Sequence, residues 1–193
     1  RLPLDMLIVA TANPEDYTNR GRIITPLKDR YGAQIRTHYP SSIEEELNII
    51  EQEYRKFDDS ENSVLVPEFM REIVAEITHL SRKSPEINQS SGVSLRVSIA
   101  NYETLISQSF RRTLITNSNT SPRICDLEFL IPSTMGKVEL ETVEEGQENS
   151  IISNVISRAV LNVFNSKFHL ELFDNLINHF QNGLSIEVGS EIP

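Results

Sequence analysis

Apolar side chains recur every three or four residues along most of the chain after residue 41, and this period constrains the fold more than any other feature. It matches the 3.6-residue turn of an α-helix, so each such segment carries one apolar face that has to be buried. The clearest stripe follows Pro67 and consists of Phe69, Met70, Ile73, Val74, Ile77 and Leu80. The pattern predicts a helical bundle, with helices over residues 43–57, 67–83, 95–114, 150–168 and 169–180.

Local signals indicate helix ends and the segments between helices. Ser42, followed three residues later by Glu45, is typical of a capping box at the start of the first helix. Residues 117–122 have the composition of a turn, and residues 124–130 favour a short helix. Residues 135–143 fit either a hairpin or a loop. Residues 184–188 alternate like a strand whose partner the sequence does not identify.

The first forty residues have a different pattern. Residues 4–11 form a nearly continuous apolar run that ends at an Asn-Pro turn, which is typical of a strand buried in a parallel sheet. Residues 25–31 favour a brief helix with Pro26 at its first position, and residues 33–39 are a second strand candidate. The sequence thus predicts a mainly α chain, with an α/β piece over residues 1–40 and a helical domain over residues 41–193.

The charge balance excludes some classes of partner. The formal net charge is −10 and the pI is about 4.9. Residues 1–40 carry six Lys and Arg against four Asp and Glu, so the acidic excess lies in the remainder, at twelve against twenty-four. Phosphate-rich surfaces attract clustered Lys and Arg, so we expect binding to neither nucleic acid nor anionic membranes.

Cysteine content and hydropathy bear on the compartment. The single cysteine, Cys125, excludes an intramolecular disulfide and fits a reducing cytoplasm; we expect it to be a small buried apolar residue. No segment approaches the roughly 20 apolar residues that cross a bilayer. The chain starts at Arg1 rather than at Met, so we expect a cytoplasmic protein of which this chain is a piece.

Several kinds of site can be excluded from the residues. The pair Gly136-Lys137 lacks both the first glycine and the hydroxyl residue of a phosphate-binding loop. The histidines have no metal-ligand spacing, and no serine lies in a nucleophile elbow. The acidic runs, at residues 44–46, 58–59 and 144–145, are typical of solvated faces.

Three features remain as candidates for chemistry. Asn13 follows the predicted buried strand, where α/β sheets place ligands, although Asn-Pro is also a common turn. Asp29-Arg30 lies on the predicted brief helix, and a surface ion pair would explain it equally well. Arg96 opens a predicted helix, where a cation is slightly unfavourable, so it is expected to serve something other than local stability.

Taken in order, these features resemble the AAA+ ATPases of the magnesium chelatase ATPase-subunit and MoxR-like family. The stretch Val9-Ala10-Thr11-Ala12-Asn13-Pro14-Glu15-Asp16 resembles the fourth core strand and sensor-1 turn of that family. Leu27-Lys28-Asp29-Arg30-Tyr31-Gly32 resembles its arginine-finger segment, and Ser94-Leu95-Arg96-Val97-Ser98-Ile99-Ala100 resembles the start of its lid helix with the sensor-2 arginine.

The resemblance implies a role for each candidate residue. Asn13 would sense the γ-phosphate and position the attacking water, and Arg30 would be the finger acting on the ATP of the neighbouring subunit, with Asp29 beside it at the interface. Arg96 would contact ATP in its own subunit. Residues 1–40 would then be the end of an AAA+ α/β core, and residues 41–193 a helical lid with a C-terminal extension.

The resemblance also implies cofactors and partners. The intact protein would use ATP and Mg²⁺ in a homo-oligomeric ring, and a von Willebrand factor A-type partner is usual for the family. The Walker A and Walker B motifs would precede Arg1, so the isolated chain is expected to bind no cofactor and to be inactive. Two segments depart from the family: residues 17–24 are longer and more basic than expected, and the tail from residue 124 exceeds a minimal lid. The alternative is a non-catalytic, acidic helical module that binds a basic partner.

Overall fold

The protein is mainly α in a computed structural model that describes residues 6–11, 26, 29–55, 64–117, 119–141, 146–168, 173, 180, 181 and 183. Five α-helices are present in this part of the chain: α1 (Ile43–Glu53), α2 (Glu68–Ser81), α3 (Arg96–Thr116), α4 (Leu130–Met135) and α5 (Glu148–Lys167). A 3-10 helix, Ile124–Phe129, leads directly into α4. The chain divides into two units, Arg1–His38 and Tyr39–Pro193.

The short helix predicted over residues 124–130 forms as a 3-10 helix, and α4 is a helix that the sequence did not predict. The predicted helices α1, α2, α3 and α5 are confirmed, and their ends have local causes. Ser42 caps α1 by accepting a 3.2 Å hydrogen bond from the Glu45 backbone N–H. The Glu45 carboxylate reaches one residue further than a standard capping box and accepts a 2.8 Å bond from the Ser41 N–H. α1 ends at Glu53, earlier than predicted, because the backbone of Tyr54 is extended. α3 ends at Asn117, whose left-handed backbone (φ 52°) suits an Asn C-cap.

The core of the second unit is built around α2. This helix packs against α1, α3 and α5, and much of its middle is buried, including Met70, Val74, Ala75 and Ile77. Each large apolar side chain removed from water in this way contributes roughly 1.5–3 kcal/mol. The stripe predicted from the sequence therefore belongs to the central helix of the bundle.

The short segments between helices are held by side chains as well as backbone. Asp126 accepts a 2.7 Å bond from the Arg123 N–H at the start of the 3-10 helix and forms an ion pair with Arg112 of α3. Residues 135–141 form no hairpin; Leu140 makes an isolated antiparallel bridge with Ile87. The predictions for residues 169–180 and 184–188 fall almost entirely outside the described residues.

The two predicted strands are not formed over the residues that the structure describes. Residues 6–11 and 33–39 have no regular secondary structure there, and Leu7 and Ile35 are 91% and 89% exposed. A buried parallel strand needs a neighbouring strand on which to pair its N–H and C=O groups, and an apolar run does not supply one. Of the predicted brief helix, Pro26 is helical while Asp29 and Arg30 lie in a turn.

The prediction that Cys125 is buried is wrong, because it lies exposed on the short 3-10 helix. Among the described residues, no helix combines the length and the apolar character that a membrane span requires.

Candidate functional site

Arg96 is the first residue of α3, and its side chain is exposed. Its backbone N–H donates a 3.3 Å hydrogen bond to Ser94 Oγ, two residues earlier. Within the described part of the chain, its guanidinium has neither a hydrogen bond nor an ion pair. The start of α3 thus presents an exposed cation to solvent.

The electrostatics of this position favour an anionic ligand. The N-terminal end of a helix carries a partial positive charge, so a cation at the first residue costs a few tenths of a kcal/mol or more. Arg96 therefore does not help α3 to form. A guanidinium together with helix N–H groups is an arrangement that binds phosphate or carboxylate oxygens well.

A buried ion pair lies beneath the start of α3. Arg82, which follows α2, donates from Nη1 to Glu46 Oε2 at 2.7 Å and from Nη2 to Glu46 Oε1 at 3.4 Å. The two side chains are only 10% and 1% exposed. Separating them would leave an uncompensated charge in the interior, so the pair holds α1 and the end of α2 in one arrangement.

Two further contacts of this ion pair lie on either side of Arg96 in sequence. Arg82 Nε donates a 3.1 Å bond to the carbonyl of Val93, three residues before Arg96. Ser98 Oγ, two residues after Arg96, donates to Glu46 Oε1 and lies 2.6 Å from Thr78 Oγ1. The chain is therefore fixed immediately before and after Arg96, which makes the start of α3 a rigid support for its guanidinium.

One face of the Arg82 guanidinium is covered by an aromatic ring. The guanidinium carbon lies 4.5 Å from the centroid of the Tyr39 ring, within the range of a cation–π contact. Tyr39 is the first residue of the second unit. We call this connected set of side chains the Arg82 cluster; it comprises Tyr39, Glu46, Thr78, Arg82 and Ser98.

Sequence reasoning missed the Arg82 cluster. The acidic run at residues 44–46 was expected to be a solvated face, and for Glu46 that expectation is wrong because the side chain is buried. A signal was present: Glu46 stands four residues before Ile50, which places it on the apolar face of α1. A carboxylate in such a position indicates a buried partner of opposite charge.

The other predicted site residues belong to the first unit. Asp29 and Arg30 are neighbours in an exposed turn and have no hydrogen bond or ion pair with any residue that the structure describes. Asn13 lies outside the described residues. The structure thus brings Asp29 and Arg30 together in one turn, and it places Arg96 in the second unit.

Gly136-Lys137 has a different setting from a phosphate-binding loop. Such a loop precedes a helix, whereas Gly136 caps the C-terminal end of α4. Lys137 lines an open groove of about 620 Å³ on the second unit, together with α3 and α4 side chains that include Thr104, Ser107, Gln108 and Ser133.

In the described ranges, no group of three or more His, Cys, Asp or Glu side chains could hold a metal ion. No family model matches the chain, and neither a curated protein nor a solved structure does.

Proposed function

We propose that this chain is the C-terminal part of a ring-forming AAA+ ATPase similar to the ATPase subunit of magnesium chelatase, and that Arg96 contacts the ATP of its own subunit. The observation that carries the proposal is the placement of Arg96. It is an exposed arginine at the start of a 21-residue helix, and buried contacts at Val93 and Ser98 hold that start on both sides. Such a rigid, positively charged end suits a phosphate group.

The helical second unit supports the same proposal. In this family a helical lid follows the α/β core, and α3 would be the lid helix that carries the nucleotide-sensing arginine. Hydrolysis of ATP to ADP would remove the γ-phosphate and so change the contacts that Arg96 makes with the nucleotide. Because α3 is packed into the bundle, a change at its start can be passed to the whole lid.

The first unit supplies the remaining residues of the proposal. Arg30 would stabilise the charge that develops on the γ-phosphate of the neighbouring subunit's ATP, and Asp29 would lie at the same interface. Asn13 would orient the attacking water through its amide. Mg²⁺ bound with ATP would neutralise part of the charge of the phosphates. In the proposal its ligands, with the phosphate loop, precede Arg1.

Partners follow from the ring. Each ATP site would lie between two copies of the protein, so neighbouring subunits are the first partners. A von Willebrand factor A-type protein is the second partner that the resemblance suggests. Metal chelation is one candidate for the process that such a ring would drive.

The test is ATP binding and hydrolysis by the gene product that includes the upstream motifs, with Arg96→Ala beside Arg111→Ala. Both arginines are exposed residues of α3, which makes Arg111 a matched control. Loss of a charged contact to phosphate costs about 1.5–3 kcal/mol, so Arg96→Ala is expected to lose about ten- to a hundredfold in affinity or turnover. Arg111→Ala should change neither by more than about twofold.

Two results would contradict the proposal. If the wild-type protein neither binds nor hydrolyses ATP, no nucleotide role remains for Arg96. If the two alanine variants behave alike, the start of α3 is not the phosphate contact. Either result would favour the acidic helical interaction module, whose partner binding should be indifferent to nucleotide.

A further inference from the structure

A buried hydrogen-bonded pair joins the two walls of the open groove between α3 and α4. Asn101 of α3 donates from Nδ2 to Thr134 Oγ1 of α4 at 2.9 Å, and Thr134 Oγ1 lies 3.2 Å from Asn101 Oδ1. Neither side chain is exposed to water, so the pair holds the two helices in one arrangement. The groove is therefore preformed, and a ligand that enters it does not have to order its walls.

The two walls of the groove run in opposite directions. Arg112, near the end of α3, pairs with Asp126, whereas the buried pair joins a residue nearer the start of α3 to one later in the chain. Lys137 therefore lies toward the start of α3, and Phe129 lies toward its end. The α3 wall comprises residues between 100 and 108, which rise by about 12 Å along the helix axis.

The Lys137 end of the groove suits a carboxylate. Lys137 is exposed, and its ammonium makes no ion pair or hydrogen bond with the residues that the structure describes. Glu103, which also lines the groove, already accepts a 3.1 Å hydrogen bond from the Arg55 backbone N–H. The ammonium can therefore pair with an anionic group of a ligand.

The opposite end of the groove is apolar. Phe129 is 45% exposed, and Pro132, three residues later on the same wall, is exposed as well. Aromatic rings contribute much of the binding energy of protein interfaces because each one buries a large apolar area. This end of the groove therefore favours an apolar side chain of a ligand.

Hydrogen-bonding groups line the groove between its two ends. Thr104 and Ser107 each donate to a carbonyl of α3 at 2.7 Å, so they offer only acceptor oxygens to a ligand. Ser133 is partly exposed, and its Oγ has no hydrogen-bond partner among the described residues. The Gln108 amide supplies both donors and an acceptor. A polypeptide backbone needs this mixture, because it presents both N–H and C=O groups.

We propose that the groove between α3 and α4 binds an extended segment of a partner protein, in which an apolar side chain and a carboxylate stand four residues apart. Four residues of extended chain span about 13 Å, close to the length of the groove, and an even spacing places both side chains on the same face. An open groove leaves one side of its ligand in water. This arrangement suits a chain held at several points better than a small molecule, which a pocket usually encloses. The proposal does not depend on a role for ATP.

Fluorescence anisotropy of a synthetic peptide, titrated with the 193-residue chain, tests the proposal. The probe is acetyl-Trp-Thr-Ser-Thr-Glu-amide; the chain itself has no Trp, so the signal comes from the peptide alone. A second peptide ends in Lys in place of Glu. Lys137→Glu reverses the charge at the groove, and Lys83→Glu makes the same change at an exposed position that does not line it.

The wild type is expected to bind the Glu peptide more tightly than the Lys peptide. Lys137→Glu should weaken binding of the Glu peptide by about three- to tenfold, because an attraction becomes a repulsion, and should tighten binding of the Lys peptide by a similar factor. Lys83→Glu should change either affinity by less than about twofold. The proposal is overturned if the wild type does not bind the Glu peptide, if the two variants behave alike, or if Lys137→Glu weakens both peptides equally.

Discussion

The rings of Tyr54 and Tyr102 meet edge to face, with their centroids 5.0 Å apart and their planes inclined at 88°. Tyr54 is the residue at which α1 ends, and Tyr102 is a buried residue of α3. Aromatic pairs in this geometry contribute about 0.5–1.5 kcal/mol beyond the apolar area that they bury. The contact therefore joins the end of α1 to α3.

Tyr102 is expected to make the folded chain sensitive to alkaline pH. Burial, and secondarily the nearby Tyr54, raises the pKa of Tyr102 from 10.0 to about 12. Between these two pH values the folded chain retains a proton that the unfolded chain has lost, so the free energy of unfolding falls as pH rises. The stabilisation is fully present below pH 10.0 and is lost as pH rises toward 12.

Urea unfolding at several alkaline pH values measures this effect. Tyr102→Phe should remove this part of the pH dependence, and Tyr31→Phe, at an exposed position, should not. If wild type and Tyr102→Phe lose stability in parallel over this range, another group is responsible.

Loss of the buried Glu46–Arg82 pair is expected to lower the free energy of unfolding far more than loss of the Glu51–Arg71 pair, whose carboxylate also lies on α1. Glu46→Gln leaves a buried Arg82 without its counter-charge. Breaking a buried pair in this way costs about 3–5 kcal/mol. Glu51→Gln makes the same change in α1 but affects a half-exposed carboxylate paired with Arg71, so it should cost under about 1 kcal/mol.

Thermal or denaturant unfolding of both variants provides the comparison. Equal losses in the two variants would mean that the Glu46–Arg82 pair does not hold α1 and the end of α2 in one arrangement. A large loss for Glu46→Gln that is partly recovered in Glu46→Leu/Arg82→Met would confirm that the cost comes from the stranded charge.

If Arg30 acts on the neighbouring subunit's ATP and Arg96 on its own, the two alanine variants should complement each other. In a ring randomly mixed from Arg30→Ala and Arg96→Ala subunits, about a quarter of the interfaces combine an intact Arg96 with an intact Arg30. ATP turnover of the mixture should therefore rise to about a quarter of the wild-type rate, above that of either variant alone. A mixture no more active than its components would contradict the assignment of the two arginines to different subunits.

The sequence by itself determined the positions of α1, α2, α3 and α5 in the second unit. The period of apolar residues and the end signals are local, and they act within one or two turns of a helix. Ser42 caps α1 because its hydroxyl is three residues from the N–H that it accepts. For the same reason the stripe from Phe69 to Leu80 predicted α2 without knowledge of its neighbours.

Tertiary structure alone decided which polar side chains are buried and what they hold. Glu44, Glu45 and Glu46 form one acidic run, yet only the last of the three is buried, because successive residues of a helix point in directions about 100° apart and α2 and α3 cover one side. The strand predictions at residues 4–11 and 33–39 depended on pairing with other strands, which no local pattern encodes. The sequence identifies Arg96 as a candidate by its place at a helix start. The contacts that hold this start come from Arg82, which bonds to Val93, and from Glu46, which bonds to Ser98. Arg82 and Glu46 are 36 residues apart in sequence and meet only in the folded bundle.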